Sequence, residues 1–378
     1  MLGVDKKIAV MFNKPGVFPG FENVVSAHIQ LPLKTAKLLQ DDKRDCMVIT
    51  TQIPNNQVMP NCFSDIDPAS ICFVSDLNKQ GNRSAALEGQ VQGIKLSKLI
   101  LNCLQVVRAL KKNRINVLQV FGTKKFVLLA ILYKFFCPGL KLIWTTENKY
   151  KGSPKAIELL ITKEVDTIVT TTEYVESTLG FHHNVKLISP GVARSFDIDG
   201  EATRRRVLFW RDPSSENGAD IALQVFKKLA PKYKKILFTF AVRPHWNAVI
   251  NESDCDEGNI EYYEYPYKEV SLDQLLSESI VVLFPFRELS TNPQLAVIET
   301  LNAGVPVICS SVESNKEILR NTNLDFGLYD EVDKYVEQLD KFLQTFNISG
   351  KLDQSSIQKL EKFYNWDCYV KQCQDAYQ

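Results

Sequence analysis

The sequence predicts an α/β protein built from two doubly wound domains in series. Three observations carry that prediction. Apolar, strand-length runs alternate with helix-length segments. The strands hold hardly a polar residue, as a parallel sheet covered on both faces requires. The alternation then stops at a polar seam after Pro190 and restarts at Val207. A chain of 378 residues suits two domains of ordinary size.

In the first half the strands read as Ile8–Phe12, Cys46–Thr50, Asn116–Phe121, Leu140–Thr145, Thr167–Thr171 and Val185–Ile188. The first of these ends at Asn13-Lys14-Pro15-Gly16 and is too short for an export signal. Asn55–Gly93 is polar apart from Ile71–Val74 and reads as long loops. Ile94–Lys111 is a helix, because Leu96, Leu99, Ile100, Cys103, Leu104, Val107 and Leu110 recur with the spacing of one helical face. Phe126–Cys137 is the most hydrophobic stretch, yet it falls well short of the roughly 20 residues that span a bilayer. It reads first as a buried helix. The second reading is a surface resting on a membrane, since Lys124 and Lys125 stand at its start.

The seam covers Pro190–Thr203. Beyond it come strand Val207–Trp210, helix Ala219–Leu229, strands Ile236–Phe240 and Ile260–Tyr263, helix Leu272–Leu276, strand Ile280–Phe284, helix Pro293–Asn302 and strand Val305–Cys309. Strands joined by helices imply right-handed βαβ crossovers. The closing segment Ile357–Tyr377 reads as one aromatic helix that must pack on something. Domains are accordingly set at 1–195 and 203–350, with 351–378 as a C-terminal helix returning to the first domain. Ligands of such sheets bind beyond the carboxyl ends of the strands, so two domains facing a cleft suit a two-substrate enzyme.

Composition narrows the function. Hydrophobic residues at 45% and charged residues at 24% exclude a disordered or fibrous chain. Lys plus Arg number 45 against 44 acidic residues, so a net charge of +1 argues against a nucleic-acid partner. Nine cysteines, an odd number without any Cys-x-x-Cys pair, read as free thiols in a reducing, cytoplasmic setting. The histidines (28, 182, 183, 245) form no metal-binding helix motif, and His182-His183 reads as part of a turn. Asp65-x-Asp67, Asp197-x-Asp199 and Asp254-x-Asp256 have a spacing used for metal-bound nucleotide sugars, but so short a pattern recurs by chance. No structural zinc site is expected. The basic run Arg204-Arg205-Arg206 reads first as a solvated linker face and second as an approach to phosphates.

The chemistry concentrates between Val281 and Ile318. A buried strand ends at Pro285, the polar loop Arg287–Asn292 follows, and Pro293 opens a helix, where its missing N–H costs nothing. Free backbone N–H groups at such a start attract an anion, with Ser290, Thr291 and Asn292 as caps or phosphate contacts. Glu299, nearly two turns in, is either an ordinary solvated glutamate or a carboxylate that accepts both hydroxyls of a ribose. Arg211, after the strand that opens the second domain, reads on its own as a surface arginine.

The residues Glu299-Thr300-Leu301-Asn302-Ala303-Gly304-Val305-Pro306-Val307-Ile308 resemble the donor-nucleotide segment of the GT-B glycosyltransferases of family 4, the large retaining group. Leu208-Phe209-Trp210-Arg211 through Asn217-Gly218 is similar to that family's strand, cation loop and glycine before a helix. The resemblance implies the GT-B fold and transfer of a sugar from a nucleoside diphosphate sugar to an acceptor hydroxyl, such as a glycan or glycolipid, with retention and without an essential metal or cofactor. It makes Glu299 the ribose-binding carboxylate and Arg211 the diphosphate cation. Two departures stand out: Thr291 occupies the place of a sugar-facing glutamate, and Asn217 that of a lysine. Ser290, Thr291, Asn292, Pro293, Gln294 and Leu295 become donor contacts. Gly16 and Gly20, in the loop after the first strand, join them, and Glu147, after Trp144-Thr145-Thr146, becomes an acceptor-side group. Those departures keep two alternatives open, a weakened sugar-nucleotide binder or subunit and a nucleotide-sugar epimerase of the same architecture.

Overall fold

The computed structural model describes residues 6–13, 27–53, 57–75, 96–192, 196, 203–245, 247–255, 258–268, 270–289, 291–320, 331–345, 352 and 354–378. The chain divides into two compact units, one formed by 1–171, 175–188 and 367–378, the other by 172–174 and 189–366.

The first unit contains β1 (Ile8–Phe12), α1 (Ala27–Asp41), β2 (Cys46–Thr51), β3 (Ile71–Val74), α2 (Leu96–Lys112), β4 (Val117–Phe121), α3 (Lys124–Phe136), β5 (Lys141–Thr146), α4 (Lys155–Glu164), β6 (Thr167–Thr170) and β7 (Val185–Leu187). Helix α5 (Glu173–Ser177) lies at the crossing between units. Its seven strands pair in the order β3-β2-β1-β4-β5-β6-β7, all parallel. Every residue of β1 and of β4 is buried, which is why β1 is apolar throughout and β4 is apolar but for Gln119, whose side chain is hydrogen-bonded. Of the polar segment 55–93, the described part supplies short 3-10 turns and the edge strand β3.

The second unit contains β8 (Arg206–Phe209), α6 (Ala219–Leu229), β9 (Leu237–Val242), β10 (Ile260–Glu264), α7 (Leu272–Ser277), β11 (Ser279–Phe284), α8 (Leu295–Asn302), β12 (Val307–Cys309), α9 (Asn315–Arg320), α10 (Val332–Thr345) and α11 (Gln354–Phe363). Its five parallel strands follow the order β10-β9-β8-β11-β12. One face packs the rings of Phe209, Phe226, Phe238 and Phe240 beneath α6 and α10. The other buries Phe284, Leu275, Ile298 and Leu301 beneath α7, α8 and α11. In both sheets the strand order reverses beside the first strand, between β1 and β4 and between β8 and β11. Loops leaving those strands diverge there and open a crevice at the carboxyl edge.

Two expectations are corrected. The terminal segment is two helices, α11 and α12 (Trp366–Tyr377), and they belong to different units. Trp366 donates its indole N–H to the Val192 carbonyl at 2.7 Å, and a Cβ on Gly191 would lie 2.4 Å from its ring, so this closely packed turn separates them. Helix α12 then runs onto the first sheet, where the Tyr377 hydroxyl donates to Gln119 Oε1 and Thr35 donates to the Tyr369 oxygen at 3.2 Å. The run 204–206 is not a solvated face either. Arg204 and Arg206 are buried, because β8 begins at Arg206 in the middle of the sheet. The Arg206 guanidinium is compensated by Glu261 and, at 2.8 Å, by Glu278.

Candidate functional site

The β8/β11 reversal places the loop 210–218 next to the loop 285–294. Gly218 fixes how close they come. Its φ is +73°, and a Cβ there would sit 1.8 Å from the Pro285 carbonyl oxygen, so only glycine fits. Arg287 clamps the same pair of loops: its backbone N–H donates to the Glu216 carbonyl at 2.9 Å, and its guanidinium grips Asp220 at 2.6 and 2.7 Å. That hydrogen-bonded guanidinium holds the Asp220 carboxyl below the ordinary carboxylate range.

Trp210, the residue before Arg211, donates its indole N–H to the Thr300 hydroxyl on α8 at 3.0 Å. This bond ties the end of β8 to the helix that carries Glu299, and brings residues 211 and 299 into one neighbourhood. The Arg211 guanidinium makes no hydrogen bond or ion pair among the described residues, and its Nε is sealed from solvent with no acceptor. Burial lowers its pKa, and the neighbouring Arg243 pushes the same way; Asp212 and Glu299 oppose them without reversing the shift. A cation in such a place lacks the partner that buried polar groups normally have. Glu299 is itself buried, which removes the solvated-glutamate reading.

Helix α8 begins at Leu295 and not at Pro293, with Gln294 at its cap. The first intrahelical bond comes from Val297 N to Gln294 O at 3.1 Å, so the N–H groups of Leu295 and Ala296 precede the helical ladder. Gln294 is buried, and its Nε2 has no partner among the described residues. Thr291 is buried in the same loop. Asn292 is committed to structure: it donates to Glu313 at 2.9 Å and accepts from the Ser314 hydroxyl at 2.7 Å. Asn217 likewise turns inward, donating to the Asp212 carbonyl and to Ser214 Oγ at 3.2 and 3.1 Å. It shapes the loop and supplies no charge.

Arg243, which follows β9, is a site residue that sequence reasoning missed. It pairs with Asp212 at 2.7 Å and stands near enough to Arg211 to perturb it. A signal existed, since Val242-Arg243-Pro244 sets a basic residue directly after an apolar strand of the same sheet. Glu147 is buried after β5 in the first unit. Gly16, Gly20 and Ser290 lie outside the described residues.

Other motifs take local roles. Asp67 accepts from Ala69 N at 3.0 Å and Asp254 from Asn251 N at 2.9 Å, both within turns. Asp197, Asp199 and Asp256 lie outside the described residues. His182 is buried: its Nδ1 accepts from Asn184 N at 3.1 Å, which leaves Nε2–H to donate to the Val165 carbonyl at 3.0 Å.

No family model matches this sequence, and no curated protein does. Solved structures do. A glycosyltransferase from Rickettsia africae superposes with a TM-score of 0.73 at 11% identity, over 99% of this chain and 98% of that one. Anabaena Alr3699/HepE, in complex with UDP and glucose, gives 0.68 at 12% identity over 98% and 99%. A protein of Listeria monocytogenes provisionally named a UDP-N-acetylglucosamine 2-epimerase gives 0.57 at 12% identity over 98% and 95%. With parallel sheets of seven and five strands, the chain therefore has the GT-B fold on which those glycosyltransferases are built.

Proposed function

We propose that the protein is a retaining, metal-independent glycosyltransferase, moving a sugar from a nucleoside diphosphate sugar to the hydroxyl of a glycan or glycolipid. The observation that carries this reading is the Arg211 guanidinium, with no hydrogen bond among the described residues, at the strand-order reversal of the second sheet beside Glu299. A diphosphate supplies the acceptors that Arg211 lacks, and Glu299 binds the ribose of the same nucleotide. As the glycosidic C–O bond breaks, its electron pair passes to the β-phosphate oxygen, and Arg211 with the N–H groups of Leu295 and Ala296 stabilises the growing charge. The acceptor oxygen bonds to the anomeric carbon on the face that the phosphate leaves, and its proton passes to the departing phosphate. Arg243 stands in for the cation that Asn217 does not provide. Thr291 and Gln294 face the sugar or its phosphate.

The Listeria likeness favours a second reading, epimerisation of a nucleotide sugar. One experiment separates the two. Purified protein is incubated with UDP-, GDP- and dTDP-sugars, and both released sugar and epimerised donor are measured. Slow release of free sugar that Glu299→Ala and Arg211→Ala abolish supports transfer. Equal release by all three proteins overturns it, and epimerisation without acceptor moves the assignment to the second reading.

A further inference from the structure

Three neighbouring helices of the first unit, α2, α3 and α4, cover one face of its sheet side by side. Their outward surfaces are not what a fully solvated helix layer presents. On α2, Ile100, Leu101 and Leu104 are 51%, 48% and 63% exposed. On α3, Phe135 is 81% exposed, with Leu132 and Phe136 beside it, and α4 adds Leu159 at 69% with Leu160. Scattered single apolar residues are normal on a surface, but eight large ones on three adjoining helices are more than scatter and call for an occupant.

Charge selects the occupant. Helices α2, α3 and α4 carry nine basic residues (Lys98, Arg108, Lys111, Lys112, Lys124, Lys125, Lys134, Lys155 and Lys163) against two acidic ones, Glu158 and Glu164. Of the nine, Lys134 is paired with Asp166 at 2.8 Å and Lys124 donates to the Ser153 hydroxyl at 2.9 Å. The whole chain is nearly neutral, so this asymmetry is local. The topology also interleaves the two kinds of residue. Helices α2 and α3 return antiparallel to the strands of one parallel sheet, so their N-termini share an edge. The apolar first half of α2 therefore lies beside the lysines opening α3, while Arg108, Lys111 and Lys112 lie beside Phe135 and Phe136. We propose that this face docks on the surface of an anionic phospholipid bilayer, with Leu104, Phe135 and Leu159 entering the headgroup region and the exposed Arg108, Lys111, Lys112 and Lys125 reading the phosphates. No helix among the described residues is long and apolar enough to cross a membrane, so this contact lies on the surface. The inference stands apart from the sugar-transfer reading, because none of its residues belongs to the candidate donor site.

The test is flotation of the full chain with vesicles of phosphatidylglycerol and phosphatidylcholine, against vesicles of phosphatidylcholine alone, at low and high salt. The wild type is expected to partition at least tenfold better into the anionic vesicles and to lose that preference as salt rises. Lys111→Glu with Lys112→Glu removes two surface cations at about fivefold each, so a loss above tenfold is expected. Leu104→Ser with Phe135→Ser is expected to cost about tenfold per side chain. These residues are exposed, and unchanged urea midpoints show that the variants fold. Equal partition into neutral and anionic vesicles overturns the proposal, as does indifference to both double substitutions. Concentration-dependent dimerisation, abolished by the apolar substitutions in the absence of vesicle binding, also overturns it and assigns the face to a second copy of the chain.

Discussion

Replacing Arg211 with methionine is predicted to make the ligand-free protein more stable and to destroy its affinity for nucleoside diphosphates. The two effects have one origin. The guanidinium is partly desolvated, has an enclosed Nε with no acceptor, and sits near a second guanidinium, Arg243. Methionine fills a similar volume without those costs, and putting an apolar side chain in place of a buried charge that Asp212 and Glu299 compensate only in part typically gains about 1–2 kcal/mol. Asp212 is not orphaned by the change, since Arg243 holds it at 2.7 Å. For a unit of this size the gain raises the midpoint of thermal unfolding by about 2–4 °C per kcal/mol. Binding moves the other way. Two charge-assisted hydrogen bonds to a diphosphate are worth about 1.5–3 kcal/mol each, so the dissociation constant for UDP or GDP should rise 10²- to 10³-fold or more. Calorimetric titration and thermal melts of both proteins provide the assay. A variant that melts lower and still binds the nucleotide would refute the reasoning, because it would mark Arg211 as a structural ion-pair partner.

Other consequences follow from the same geometry. Gly218→Ala forces a Cβ against the Pro285 carbonyl at φ +73° and should cost about 2–4 kcal/mol in urea unfolding, with donor binding weakened in the surviving folded protein; a loss below 0.5 kcal/mol (roughly the noise of a surface change) would contradict the close approach. Arg206→Leu strands the Glu261 and Glu278 carboxylates, which keep some contact with solvent, and should cost about 2–3 kcal/mol by the same measurement. Burial lowers the His182 pKa below its ordinary 6.5. The unfolded chain then takes up a proton near pH 6.5 that the folded state resists, so this contribution to stability is complete above pH 6.5 and declines as pH falls through the folded value. His182→Gln should flatten the dependence of the urea midpoint on pH between 7.5 and 5; parallel curves for both proteins would remove His182 from the account. Burial pushes the Cys309 and Cys373 thiols up to about 12, so a brief alkylation of native protein should label exposed Cys368 and spare them until urea is added.

Much of the fold was legible because both sheets are parallel and covered. Strands such as Val281–Phe284 then have to be apolar throughout, and the segment from Glu299 to Ile308 carries a specific pattern. What escaped depended on partners far away in sequence. Arg206 finds Glu261 and Glu278 across 55 and 72 residues, so its run looked like a solvated linker. The break between α11 and α12 rests on Trp366 meeting the turn at Gly191 and Val192, across 174 residues, and no local breaker stronger than Asn365 announces it. Helix α8 starts two residues late because Gln294 is still extended, in a loop where Asn292 is engaged by Glu313 and Ser314, contacts that helical periodicity cannot register. Arg243 was within reach of the rule that ligands gather at carboxyl strand ends, since it directly follows β9 beside the loop that leaves β8.

The most direct measurement is a crystal structure of the full chain with UDP or GDP bound. The account predicts the diphosphate within hydrogen-bonding distance of Arg211 and the ribose hydroxyls on the Glu299 carboxylate. A nucleotide bound at another edge of the sheet, with neither side chain touching it, would contradict the account.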